Sequence, residues 1–300
     1  MEKNTLGEII YSLRKKAGMT QEDLADGICS TVSISRIENG NQMPSGKVLE
    51  KLLERLGTGT YQLCNIYYEN EYQEKLHKSL EEIEALVSDG DLTSAKSALE
   101  KICEEEMDVT NLQHKKMIGA AIDIHEGRDG DDIEKKLLDA LLLTKPKIKL
   151  EDFRGELLSP TEVNILVMLV TANHMAEKNI EAIRIGEETM FALRKNQSRL
   201  SDYKVMSINL AHNLGQILLE ECRYKEALIY EKKAEELSIK STEQFMLPEI
   251  EFGIAQILYC MGQKDESRDI MRAIMPYMKL IGKKDMADLV AENIDENNIE

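Results

Sequence analysis

Residues 20–46, TQEDLADGICSTVSISRIENGNQMPSG, constrain this chain more than any other stretch. Thr20 is placed to cap a helix through its hydroxyl, and Glu22 and Asp23 fall in that helix's first turn, where its dipole favours acids. Leu24, Ala25 and Ile28 recur at helical spacing. Gly27–Ser30 breaks the pattern, and Ser30 or Thr31 restarts it as a cap, with Ile34 and Ile37 as the inward pair. Asn39-Gly40 offers a residue able to take positive φ, which ends the second helix. Two short helices held at a steep angle by a tight turn make a helix-turn-helix, whose second helix fits a DNA major groove.

Thr20-Gln21, Leu24-Ala25, Ile34-Ser35, Ile37-Glu38 and Gly40 resemble the Thr-Gln-x-x-Leu-Ala…Ile-Ser-x-Ile-Glu-x-Gly form of the phage-repressor-like helix-turn-helix superfamily. Gly27-Ile28-Cys29-Ser30 followed by Ile34-Ser35-Arg36-Ile37-Glu38 resembles more narrowly the peptide-pheromone-sensing regulators of Gram-positive bacteria, the Rgg/PlcR type of the RRNPP group. In that type the inter-helix connection is one residue shorter than in phage repressors. The resemblance covers about residues 4–60 and implies DNA binding without naming a signal.

Ile34 and Ile37 point inward, so Thr31, Val32, Ser33, Ser35 and Arg36 are expected to face outward. The resemblance implies that Val32, Ser33 and Arg36 meet base edges. Val32 suits a thymine methyl; Arg36 is either a bidentate guanine contact, worth roughly 1–3 kcal/mol of discrimination, or a phosphate contact. Gln21 would bind a phosphate together with backbone N–H groups. Asn39, Asn41 and Lys47 are further phosphate candidates, and Lys15 and Lys16 are either phosphate ligands or solvated charge. The superfamily uses positions matching Arg14 and Glu38 as a structural ion pair, so both are left off the DNA face.

The net charge of −17 opposes DNA until it is divided along the chain. Residues 1–60 hold eight basic and eight acidic side chains, so the excess belongs to the remainder, with 30 basic against 47 acidic. An acidic body is expected to face away from the duplex, and a neutral reader implies two copies on a two-part operator, hence a homodimer. Three hundred residues suggest about two domains. No apolar run approaches the roughly 18 residues of a membrane span, and MEKNTLGEII lacks the charged and apolar regions of a signal peptide. The expected location is cytoplasmic. Cys29, Cys64, Cys103, Cys222 and Cys260, odd in number and without a CxxC, are expected to be buried, reduced thiols.

Beyond residue 60 the pattern is helical throughout, which makes the expected fold all-α. Leu63, Ile66 and Tyr67, then Leu76, Leu80, Ile83 and Leu86, give an apolar stripe over Tyr61–Leu86. Thr58-Gly59-Thr60 is the expected hinge. Helix stops are expected at Asp89-Gly90-Asp91, Gly127–Asp131, Lys145-Pro146 and Ser159-Pro160. Leu214-Gly215, Leu218, Ala227 and Ala234 keep the offsets of a tetratricopeptide repeat, whose small residues let antiparallel helices touch. Shifted copies run through Ile254-Ala255, Leu258, Ser267 and Ile274, through Leu169-Val170, Ala182 and Thr189, and more weakly through Ile83, Leu86, Ala95 and Ile102. Such pairs bury their apolar faces only by stacking into a solenoid. The expected organisation is a five-helix-type helix-turn-helix domain over 1–60, a linker helix over 61–75, and tetratricopeptide-like repeats over 76–300 that bind a signal and dimerise.

The inner face of each first helix should line a groove. If Leu214-Gly215 marks the inter-helix contact, Asn209, His212, Asn213 and Gln216 face it. Asn164, Val167, Met168, Thr171 and His174 are the equivalents before, and Glu249, Phe252, Gly253, Gln256 and Tyr259 those after. Asn209 and Asn213 lie one turn apart, and a carboxamide donates to and accepts from a peptide backbone at once. Val167, Met168 and Phe252 could seat apolar side chains; alternatively the polar positions are ordinary solvated surface. In pheromone regulators the resemblance implies an asparagine-lined groove of this kind.

His174 and His212 have no second ligand at metal spacing, and Arg128–Asp132 lacks a calcium loop's alternating ligands. No cofactor is expected, and no catalytic motif is present. The expected function is a DNA-binding regulator modulated by a short peptide. A regulator controlled by a protein partner, and a repeat scaffold that does not bind DNA, are the alternatives.

Overall fold

Four short helices, among the described residues, make the N-terminal unit: α1 (Leu6–Lys16), α2 (Gln21–Ala25), α3 (Thr31–Glu38) and α4 (Gly46–Leu56). This computed structural model describes residues 6–42, 44–56, 71–105, 107–154, 156, 158–196, 201–241 and 246–296. The expected hinge Thr58-Gly59-Thr60, the stripe Leu63, Ile66 and Tyr67, Cys64, and the place for a fifth helix lie outside the described residues.

Local chemistry sets these helix ends. The Thr20 hydroxyl accepts from the Asp23 N–H at 3.0 Å and the Asp23 carboxylate accepts from the Thr20 N–H at 2.8 Å, a reciprocal capping box. Ser30 caps α3 by accepting from the Ser33 N–H at 3.1 Å. At the other end Gly40 takes φ +72°, its N–H reaching the Ile37 carbonyl at 3.0 Å and that of Asn41 the Arg36 carbonyl at 2.8 Å. That is a Schellman closure. Arg55 of α4 donates to the Asp23 carbonyl at 3.2 Å and to that of Asp26, satisfying acceptors left open at the end of α2. Ile10, Leu24, Ala25, Ile34, Ile37, Leu52 and Leu56 close the core that these ends aim at.

Eleven further helices follow among the described residues: α5 (Glu71–Ser88), α6 (Leu92–Glu100), α7 (Val109–His125), α8 (Gly130–Thr144), α9 (Pro160–Met175), α10 (Asn179–Asn196), α11 (Ser201–Glu220), α12 (Tyr224–Ile239), α13 (Leu247–Cys260), α14 (Lys264–Leu280) and α15 (Lys284–Glu296). Each packs on the next, and in addition α5 meets α7, α7 meets α9, α9 meets α11 and α11 meets α13. The odd-numbered helices from α5 to α13 therefore form one touching layer, the inner arc of a stack of helix pairs. The fold is all-α, as expected, with a core that runs unbroken from Leu80 to Leu258. Ala95, Ala182, Thr189, Ala227 and Ala234 are fully buried and Ser267 nearly so, as the repeat offsets require.

Every inner helix from α5 to α13 ends in the same closure. The N–H groups of Asp91, Arg128, Lys178, Arg223 and Gln263 reach back five residues to the carbonyls of Leu86, Asp123, Asn173, Leu218 and Leu258. Glu177 and Cys222 hold the left-handed position that glycine occupies in the other pairs.

Two expectations need correction. Ser159-Pro160 does not stop a helix but opens α9: Ser159 and Glu162 form a capping box and Pro160 stands where no N–H is needed. The pair α7–α8, whose sequence shows no copy of the repeat offsets, also belongs to the stack. Cys103, Cys222 and Cys260 are exposed and Cys29 half-buried rather than core thiols, because Cys222 and Cys260 sit at helix ends, outside the buried stripes.

One carboxyl opposes the stack. Glu251 of α13 is half-buried against Glu235 of α12, and burial together with that neighbour pushes it up to about 7 despite Lys232. Its folded value lies above the ordinary 4.5, so the native state holds an extra proton between those values and stability falls as pH rises through them. Glu251→Gln is expected to stabilise the chain by about 1 kcal/mol at pH 8, after discounting for solvent screening, and not at pH 5. Urea unfolding at both pH values checks this; equal gains would assign the effect to packing instead.

Candidate DNA-reading face and ligand groove

The open side of α3 carries Val32, Ser35, Arg36 and Asn39 at i, i+3, i+4 and i+7. Val32 is 61% exposed, a large apolar group in water on a very small unit. Arg36 is exposed and has no hydrogen bond or ion pair among the described residues. Thr31, Ser33 and Ser35 are half-buried beside them, with the Ser33 hydroxyl 2.8 Å from that of Ser30. Asn39 and Asn41 are exposed just beyond, the Asn39 amide donating to the Ser35 carbonyl at 2.7 Å.

Beneath this face lies a buried ion pair. Arg14 donates from Nε to Glu38 Oε1 at 2.5 Å and from Nη2 to Glu38 Oε2 at 2.8 Å, and its Nη1 reaches the Met19 carbonyl at 2.9 Å. Gln21 departs from its expected role. Its Nε2 donates to Glu38 Oε2 at 2.7 Å, because a buried carboxylate needs more donors than one guanidinium supplies. The Lys47 side chain lies outside the described residues. Lys15 and Lys16 are exposed at the end of α1, with the Lys15 ammonium 5.7 Å from the Tyr11 ring centre.

In the repeats, the open face of α9 presents Asn164, Val167, Met168, Thr171 and His174, all half-buried. That of α11 presents Val205, Asn209, His212, Asn213, Gln216 and Glu220; that of α13 presents Glu249, Gln256 and Tyr259. Asn164, Thr171, Asn209, Asn213 and Gln256 make no side-chain hydrogen bond among the described residues. Half-buried carboxamides and a hydroxyl left unpaired on one layer are acceptors and donors waiting for a partner. Val205, four residues before Asn209, was missed, although the helical period places it on the same face.

Four expected groove residues behave otherwise. Phe252 is 7% exposed and packs with Ala255, Met271, Ile274 and Met278, covered by α14 and α15. His174 lies between the Asn179 carboxamide oxygen (2.9 Å) and Glu220 (3.5 Å) at the end of the face. His212 Nδ1 and Gln216 Nε2 donate to Glu231 of α12, at 3.0 and 2.6 Å.

Glu231 is fully buried. It fits because its neighbours lack side chains: a Cβ on Gly215 would fall 2.6 Å from Glu231 Cγ, and one on Gly253 would fall 2.6 Å from both Glu231 Oε1 and Gln216 Nε2. Burial pushes its carboxyl up, against the pull of His212 and Gln216. The two glycines were the only sequence signal for this carboxylate. Among the described residues no group of three or more His, Cys, Asp or Glu side chains is arranged to hold a metal ion. Among them too, no helix is long and apolar enough to cross a membrane.

A helix-turn-helix family model matches residues 10–63, so the N-terminal unit is a helix-turn-helix domain. No curated protein matches the chain in sequence. Among solved structures, it is similar over its whole length to Bacillus thuringiensis PlcR in complex with the peptide PapR7 and DNA, with a TM-score of 0.60, 17% identity and 100% of each chain covered. The apo competence regulator ComR of Streptococcus vestibularis matches with a TM-score of 0.53 and 14% identity, covering 99% of both chains. The SHP pheromone receptor Rgg2 of Streptococcus dysgalactiae matches at 0.51 and 15%, over 97% of this chain and 99% of that one. At such identities the likeness establishes a shared fold.

Proposed function

We propose that this chain is a cytoplasmic, homodimeric transcription regulator whose α3 reads DNA and whose repeats bind a short signalling peptide that modulates operator binding. One observation carries the reading: a chain with a fully presented recognition helix also holds a face of unpaired carboxamides, Asn209 and Asn213 one turn apart at its centre. Carboxamides suit an extended backbone because they satisfy its N–H and C=O groups whatever the side chains. The relatives in fold add support, since PlcR is described with a peptide and DNA together and Rgg2 as a pheromone receptor. Val32, Ser35 and Arg36 are assigned to the duplex, with Thr31, Ser33, Asn39 and Asn41 at its edges. Asn164, Thr171, Asn209, Asn213, Gln256 and Tyr259 are assigned to the peptide.

Selection of duplexes from a random pool by the full chain tests the DNA half. A single enriched, two-part motif is expected, and Arg36→Ala should weaken its binding about 10- to 100-fold while relaxing preference at one position per half-site. A loss equal on all sequences would make Arg36 a phosphate contact. Failure to enrich any motif would reject the assignment of α3 as a reader.

A further inference from the structure

Of the five inner helices, the three that carry the assigned groove residues are nearly devoid of cations. α9 and α13 contain no lysine or arginine, and α11 contains only Lys204, near its beginning. Acceptors gather instead between α11 and α13. Gly253 brings α13 against Gln216 and Glu231, since its missing Cβ would stand 2.6 Å from both. Glu249 precedes Gly253 by one turn and Gln256 follows it by one, so both flank the place where Gln216 lies.

The chemistry of each group there is one-sided. Gln216 donates its amide to Glu231 and so keeps its Oε1 for an outside donor. A carboxylate only accepts, so His212 Nδ1 carries a proton toward Glu231, and in an uncharged ring Nε2 is left as an acceptor. Glu249 is paired through Oε1 with Lys283, yet its Oε2 is buried and takes no hydrogen bond among the described residues. Beneath them Glu231 places a second carboxylate that no lysine or arginine among the described residues reaches within hydrogen-bonding distance.

We propose that this end of the groove takes a cationic group of the ligand, which makes the signal a basic peptide. The cation sits on Gln216 Oε1 and His212 Nε2, flanked by the carboxylates of Glu249 and Glu231. The site inherits its existence from the peptide reading given above and adds the ligand's charge to it. The body's own charge favours the same choice: the residues after 60 carry the entire −17 excess, so an acidic peptide is repelled before it arrives. Burial also pushes the Glu231 carboxyl up, and a ligand cation above it offsets that cost.

Three synthetic heptapeptide pools of identical apolar content, carrying lysine, glutamine or glutamate at two randomised positions, test this by competition binding to the full chain. The lysine pool should bind at least tenfold more tightly than the glutamine pool, and the glutamate pool least. Acetylating the amino termini separates the sources of the cation: an unchanged lysine preference assigns it to the side chains, whereas three pools that bind equally and all weaken on acetylation assign it to the free terminus. Glu249→Gln should abolish the tenfold preference, and Glu231→Gln should reduce it. Glu249, only half-buried, decides the matter if Glu231→Gln does not fold. Equal binding of the three pools that acetylation leaves unweakened, or tighter binding of the glutamate pool, overturns the charge assignment alone. Binding of none of them overturns the groove reading with it.

Discussion

Glu38→Ala is expected to destabilise the helix-turn-helix unit by about 3–5 kcal/mol, close to all the stability that so small a unit has. The reason lies in what it leaves behind. Arg14 is 4% exposed, and two of its three hydrogen-bonded nitrogens reach Glu38. Removing the carboxylate strands a guanidinium with only the Met19 carbonyl, and also frees the Gln21 amide. The double replacement Arg14→Met with Glu38→Leu should restore most of the loss, because apolar groups of similar size need no partner. Hydrogen exchange over residues 6–38 measures both: the single variant exchanges globally fast there, the double variant does not, and the repeats are unchanged in each. A single variant with native protection would show that the ion pair is dispensable.

Gly7→Ala should be comparably damaging, although alanine is the better helix former. A Cβ at Gly7 would lie 2.1 Å from the Ile37 carbonyl oxygen and 2.8 Å from that of Glu38. Both are backbone atoms, so no rotamer change relieves the clash and α1 must lift away from the end of α3. The expected cost is about 3 kcal/mol or more, with loss of binding to the selected duplex. Gly119→Ala is the matched contrast. Its Cβ would meet only the Leu99 side chain at 3.8 Å, an ordinary contact, so about 1 kcal/mol of stabilisation from helix propensity is expected. Thermal unfolding of both variants decides; a Gly7→Ala chain as stable as the parent would mean that α1 and α3 do not approach this closely.

Much of this architecture was written locally. Thr20, Asp23, Ser30 and Gly40 each act on backbone groups within a few residues, so their roles could be read before any packing was known. The open faces of α9 and α11 were also legible, because Leu214-Gly215 and Leu169-Val170 mark the buried side and the helical period gives the rest. What failed were positions decided by distant chain. Phe252 lies on the edge of the α13 stripe between Glu249 and Gln256, and only α14 and α15, packing over it, turn it into core. His212 and Gln216 were placed on the right face, yet Glu231 on another helix draws their polar atoms sideways. Gln21 was likewise claimed by Glu38, seventeen residues away. The pair α7–α8 carries its small residues, Gly119-Ala120-Ala121 and Ala140, at offsets unlike those of the other pairs, which hid its membership of the stack.

The account rests on coupling between the two halves, since a ligand shifts an equilibrium only by its difference in affinity for two states. The direct measurement is the affinity of the full chain for its selected duplex, by fluorescence anisotropy, with and without a saturating peptide isolated from the lysine pool. A change of about fivefold or more in either direction is predicted, and reciprocally the duplex should change peptide affinity by the same factor. Peptide binding that leaves duplex affinity unaltered would contradict it.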